Sequence, residues 1–183
     1  VLTVSHEYGS GGRTIARRIA HELNLPYYDR DVIQEDDNKD FYGLFDWKSA
    51  SLEDETDIND EELCKIEAHM IQSIAAKDSC VIVGRLANYV LQNHRNALHI
   101  FITADEAERV KRIMRKEGID EEEAYELIEK NTKEREKHCH QFTDFKWGCG
   151  DNYDIMIKSS KYGVDRTAAI LLDLIKEFRL MQD

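Results

Sequence analysis

The stretch Ser5 to Thr14, S-H-E-Y-G-S-G-G-R-T, sets the terms for the rest of the chain. Val1-Leu2-Thr3-Val4 precede it as a short apolar run, and Ile15, Ala16, Ile19, Ala20 and Leu23 follow it at helical spacing. A buried strand and a helix are therefore joined by a loop holding three glycines. Glycines let the backbone approach an anion, the loop amides turn inward, and the helix start adds positive potential. That combination predicts a phosphate cradle over Gly9, Ser10, Gly11, Gly12, Arg13 and Thr14. The alternative is a glycine-rich turn that only caps the helix.

The P-loop pattern G-x-x-x-x-G-K-[ST] is not matched. With Gly12-Arg13-Thr14 standing for its last three positions, the lysine is an arginine and the first glycine is Glu7. With the register moved one residue, Gly12 takes the lysine position. Either way the loop lysine is missing, and Arg13 offers a guanidinium fork suited to phosphate oxygens.

Further strands follow at regular intervals. Leu25 to Tyr28 read as a second strand, which puts Asp29 at a carboxyl edge where open α/β sheets bind ligands. A carboxylate there can hold a hydroxyl or a magnesium-bound water, or cap a helix beginning near Asp31. Residues 34–60 combine acidic clusters with Phe41, Tyr42, Phe45 and Trp47, and read as a mobile segment or a partner-binding surface. Glu61 to Lys77 is amphipathic, with Leu63, Ile66, Met70 and Ile74 on one face. Cys80 to Val83 is a continuous apolar run, as in a central parallel strand, and delivers Arg85 to the same edge as the first loop. Leu86 to Leu91 makes a short helix, Leu98 to Ile102 a fourth strand and Tyr153 to Ile157 a fifth. Helices are expected over Ala104 to Lys116, Glu121 to Lys137 and from about Asp165, the last with Leu171, Leu174, Ile175 and Phe178 inward. The alternation predicts an α/β domain with five parallel strands and helices on both faces.

Charge narrows the partners. The net charge of −12, from 25 Lys and Arg against 37 Asp and Glu, opposes a general affinity for nucleic acid or anionic membrane. Basic residues nevertheless gather at Arg109, Lys111, Arg112, Arg115 and Lys116, and again at Lys130, Lys133, Arg135 and Lys137, which suits a lid over phosphates. No apolar run approaches the roughly 20 residues needed to span a bilayer. Cys64, Cys80, Cys139 and Cys149 form no C-x-x-C pair and are expected as reduced thiols in a cytoplasmic protein. His138-Cys139-His140 with Cys149 offers metal-ligating types without the paired spacing of zinc sites.

Three stretches resemble the cytidylate kinase-like family: Glu7-Tyr8-Gly9-Ser10-Gly11-Gly12-Arg13, Pro26-Tyr27-Tyr28-Asp29 and Val81-Ile82-Val83-Gly84-Arg85. Ala104 to Arg112, Lys130 to Arg135, Trp147-Gly148 and Asn152-Tyr153-Asp154 agree, so the similarity covers nearly the whole chain. The resemblance implies a three-layer P-loop kinase fold of one domain, residues 1–183, with a monophosphate-binding arm over 30–77 and a lid over 112–150. It implies phosphoryl transfer from ATP to CMP or dCMP with magnesium. Arg13, Arg85 and Arg135 would be catalytic, and Asp29, Arg85, Lys133 and Arg135 would hold substrate. Thr14 or Asp29 would serve the metal. The partners expected are nucleotide substrates, without nucleic acid or membrane, and the oligomeric state is left open. The chain departs from the pattern at the loop lysine, at Val83 in place of an aspartate near the metal, at Thr132 in place of an acid, and at His138-Cys139 in place of a tyrosine pair. Those departures keep two other readings in play: a nucleotide-binding regulatory module with little turnover, and a kinase of another small metabolite.

Overall fold

The computed structural model describes residues 1–29 and 60–180. All of the segment 34–60 but its last residue, the helix expected near Asp31 and much of the expected arm therefore lie outside the described residues. In chain order the elements are β1 (Leu2–His6), α1 (Gly12–Glu22), β2 (Tyr27–Asp29), α2 (Asp60–Lys77), β3 (Val81–Val83), α3 (Ala87–Val90), β4 (Leu98–Thr103), α4 (Glu106–Glu117), α5 (Glu121–Phe142), β5 (Ile155–Lys158), α6 (Ser159–Tyr162) and α7 (Val164–Leu180). The five strands form one sheet in the order β2-β3-β1-β4-β5, and every adjacent pair is parallel.

Side-chain alternation along the central strands makes the two faces. Leu2 and Val4 of β1 point with Val81, Val83, Leu98, Ile100 and Ile102 toward Ile15, Ala16 and Ile19 of α1 and Ala168, Leu171 and Ile175 of α7. Ile82 points the other way, into a cluster with Ile71 and Ala75 of α2 and Leu86, Ala87 and Leu91 around α3. Each fully buried isoleucine contributes about 1.5–3 kcal/mol over leaving it exposed. Polar strand residues find partners: Thr3 Oγ1 lies 2.8 Å from His99 Nδ1 on the neighbouring strand.

Helix ends follow local chemistry. α1 stops as Asn24 takes a left-handed φ of 50°, two residues before Pro26. α5 begins with a capping box, in which Asp120 Oδ1 accepts from the Glu123 amide and Glu123 Oε2 accepts from the Asp120 amide. It runs five residues beyond the expected Lys137, to Phe142, because Cys139 continues the buried stripe of Ala124, Ile128 and Arg135. The expected core face shifts on two helices. Among the described side chains of α2, Ile71 and Ala75 are buried, with Ile66, Met70 and Ile74 only partly so. On α7 Leu174 is 44% exposed, since the stripe Ala168, Leu171, Ile175 leaves it on the flank.

Candidate active site

The loop between β1 and α1 has the shape its glycines require. Gly11 caps α1 at φ +79°, a region that side chains disfavour. Gly12 opens the helix against His6, and a Cβ built there would sit 2.3 Å from His6 Cβ. The Ser10 amide donates to the Glu7 carbonyl at 3.1 Å, and the Gly12 amide donates to Ser10 Oγ at 3.3 Å. Ser10 is thus buried, with its hydroxyl shaping the loop from within. The amides of Gly9, Gly11 and Thr14 take no hydrogen-bond partner among the described residues. Thr14, the third residue of α1, is exposed.

The outer side of the loop is tied to distant elements. Glu7 Oε2 accepts from Thr103 Oγ1 at 2.5 Å and from the Ala104 amide at 2.9 Å, at the end of β4. Arg112 Nη1 donates to the Gly9 carbonyl at 3.1 Å, and Ser159 Oγ donates to the Ser10 carbonyl at 2.6 Å. Tyr8 packs against the cluster of Val110, Ile113, Ala124 and Ile128 between α4 and α5. These contacts fix where the loop amides stand without using any atom on its inner side.

Beside the loop, His6, Arg13, Asp29, Val83, Gly84, Arg85 and Arg135 line one cleft. It lies at the carboxyl edge of β1, β2 and β3, where the expected crevice belongs. Among the described residues three guanidinium groups face it against a single carboxylate, which favours a polyanion. Arg135 is buried; its Nη1 donates to the His6 carbonyl, and its guanidinium lies 6.0 Å from the centre of the Trp147 ring. Arg13 Nε is 2.6 Å from Asp29 Oδ2, and Arg13 Nη2 donates to Asp29 Oδ1 at 3.4 Å. Tyr27 donates its hydroxyl to the same Asp29 Oδ2 at 2.7 Å. Burial raises the Tyr27 pKa above the usual phenol value, and the neighbouring carboxylate adds to the shift, so the hydroxyl stays a donor.

Among the residues expected at the site, Arg13, Asp29, Arg85 and Arg135 come together. Lys133 does not line the cleft: its Nζ is 2.7 Å from Glu129 Oε1 one turn back, and both side chains are largely exposed. His138, Cys139, His140 and Cys149 build no metal centre, since no group of three His, Cys, Asp or Glu side chains among the described residues could hold an ion. Cys139 instead donates to the Phe145 carbonyl at 3.2 Å, and burial pushes its thiol pKa up. Magnesium in a phosphoryl-transfer site asks for less, because substrate phosphates supply much of its coordination. The exposed Thr14 hydroxyl beside unpartnered amides fits that demand. Sequence reasoning did not single out His6, whose carbonyl anchors Arg135, or Arg112, which holds Gly9. Neither contact has a signal in spacing alone.

Comparison with known proteins agrees with this architecture. The model of the cytidylate kinase-like family matches residues 1–161. A cytidylate kinase of Thermococcus kodakarensis is 28% identical over 172 residues, covering 93% of this chain and 85% of that protein. A cytidylate kinase of Methanopyrus kandleri is 28% identical over 181 residues, covering 93% and 90%. Among solved structures, an uncharacterized protein from Eubacterium ventriosum superposes with a TM-score of 0.78 at 28% identity, over 96% of this chain and 97% of that one. A gluconokinase from Sinorhizobium meliloti, at 13% identity and a TM-score of 0.57 over 100% and 97% of the two chains, shares the fold. With a family match across most of its length and a five-stranded parallel sheet carrying the loop and arginine cleft, the chain belongs to the cytidylate kinase-like family and has a P-loop kinase fold.

Proposed function

We propose that the protein is an ATP-dependent nucleoside monophosphate kinase, with CMP or dCMP as the first acceptors to try. The observation that carries this reading is the convergence of Arg13, Arg85 and Arg135 on one cleft beside the loop amides. Phosphoryl transfer asks the protein mainly for positioning and positive charge. The amides of Gly9, Gly11 and Thr14 would bind donor phosphate oxygens, helped by the start of α1. Arg13 and Arg85 would flank the transferring group, and Arg85 would also hold the acceptor phosphate. Arg135 would offset the charge that develops on the equatorial oxygens. Residues 112–150, carrying the second half of α4 and all of α5, would act as the lid, and Lys133 would join only once its pair with Glu129 opens. Asp29 and the arm over 30–77 would help place the acceptor.

Magnesium, when bound, would neutralise charge on the donor phosphates, with the Thr14 hydroxyl as ligand or Asp29 through water. The family's names for its relatives support the substrate class; the reduced state of all four cysteines supports a cytoplasmic setting. No helix among the described residues is long and apolar enough to cross a membrane.

A second reading is a nucleotide-binding module. It is favoured by a valine rather than an acid at position 83 of the cleft wall, and by the engagement of Arg13 with Asp29. A coupled ADP-release assay across a panel of monophosphates separates the two. The kinase reading expects turnover that disappears in Arg13→Ala and Arg85→Ala. Tight ATP binding without turnover on any acceptor would establish the module instead.

A further inference from the structure

The geometry points to Tyr27 and Asp29 as a positioning pair that orients Arg13, so that a guanidinium serves where related loops use a lysine. This rests on the kinase reading and names how its altered loop works. A lysine presents a point charge on a flexible stem, and it serves wherever its tip reaches. A guanidinium is planar and directs its donors along fixed lines, so it serves only when its plane is set. Here the plane is set from one side. Nε and Nη2 of Arg13 both meet the Asp29 carboxylate, at 2.6 and 3.4 Å. That side-on contact determines the direction of the remaining nitrogen.

Asp29 in turn cannot drift. Its side chain is 2% exposed, it ends a strand paired in register with β3, and its Oδ2 accepts the Tyr27 hydroxyl at 2.7 Å. Tyr27 is itself buried, with the Arg17 guanidinium 5.7 Å from its ring centre. The order of support is therefore core, Tyr27 hydroxyl, Asp29 carboxylate, Arg13 fork. The first strand residue and the last are two apart, so both side chains lie on one face of the sheet, toward α1. Tyr27 does not itself line the cleft and meets it through Asp29, which makes it a positioning residue.

The test compares Tyr27→Phe in the native chain and in an Arg13→Lys background, with kcat and KM measured for ATP and CMP. In the native background kcat should fall about tenfold while both KM values change less than about twofold, as for a misplaced catalytic group. In the Arg13→Lys background, where no plane needs setting, Tyr27→Phe should change kcat less than about twofold. An equal fall in both backgrounds, or a rise in KM for CMP with kcat unchanged, would overturn the inference. A second readout needs no turnover: the NMR signal of Arg13 Nε should report slow rotational exchange of the guanidinium in the native chain and rapid exchange in Tyr27→Phe. Equal exchange in the two would also overturn it. If the native protein phosphorylates no monophosphate, the kinase reading fails, and the Nε signal still decides whether the pair holds Arg13.

Discussion

Arg135 of α5 donates from its guanidinium to the carbonyl of His6, the last residue of β1. The helix richest in lid-like charge is thereby bonded to the backbone from which the phosphate loop springs. A side chain 129 residues away along the chain sits at the base of the cradle, buried and stacked near Trp147. One group thus lines the cleft and holds the backbone at the start of the loop.

Arg135→Ala should lower kcat by about 10²–10³-fold, as removal of a transition-state charge contact does. Arg135→Lys should recover little of it, since an ammonium cannot span both the His6 carbonyl and a phosphate as a planar fork does. Steady-state kinetics on the two variants, with circular dichroism to verify folding, check this.

Gly12→Ala should destabilise the fold by roughly 1–3 kcal/mol, the cost of forcing a methyl into a packed site. The added carbon meets His6 Cβ, so His6→Ala should not rescue it, whereas His6→Gly should rescue part of it. Urea unfolding of the single and double variants reads the difference.

Arg85→Lys, which keeps the charge but loses the planar fork, should raise KM for the monophosphate more than KM for ATP. Arg85 follows β3 and lines the cleft beside Asp29 and Val83, whereas the cradle proposed for the donor is the loop before α1. Initial-rate kinetics with each substrate varied in turn give the comparison.

Stability should decline as pH falls below the ordinary histidine value of 6.5, in part through His99. Burial depresses its pKa, with Asp154 acting the other way. The unfolded chain then binds a proton at a higher pH than the folded one, so this contribution is complete above 6.5 and is lost as pH falls toward the depressed folded value. Thermal unfolding from pH 5 to 8 should show a slope that is smaller in His99→Gln.

Much of this was legible in the chain because it is written in local order. Strand runs and helical stripes alternate, and a glycine loop between the first strand and the first helix places its amides. Arg13 and Arg85 follow parallel strands and so had to reach the same sheet edge. Other features depend on what approaches from far away. Arg135 stands in helical register with Ala124 and Ile128 while Lys133 pairs outward with Glu129, but a guanidinium on that stripe does not reveal its bond to the His6 carbonyl, which lies far away in sequence. The side-on hold of Asp29 on Arg13 arises only once β2 lies beside α1, and the tether from Arg112 to Gly9 only once α4 packs on the loop.

The most direct test is a crystal structure with a non-hydrolysable ATP analogue, magnesium and CMP. The account expects donor phosphate oxygens within hydrogen-bond distance of the Gly11 and Thr14 amides, with Arg13, Arg85 and Arg135 all turned toward the gap between donor and acceptor. Phosphates bound elsewhere, or those three side chains directed away from them, would contradict it.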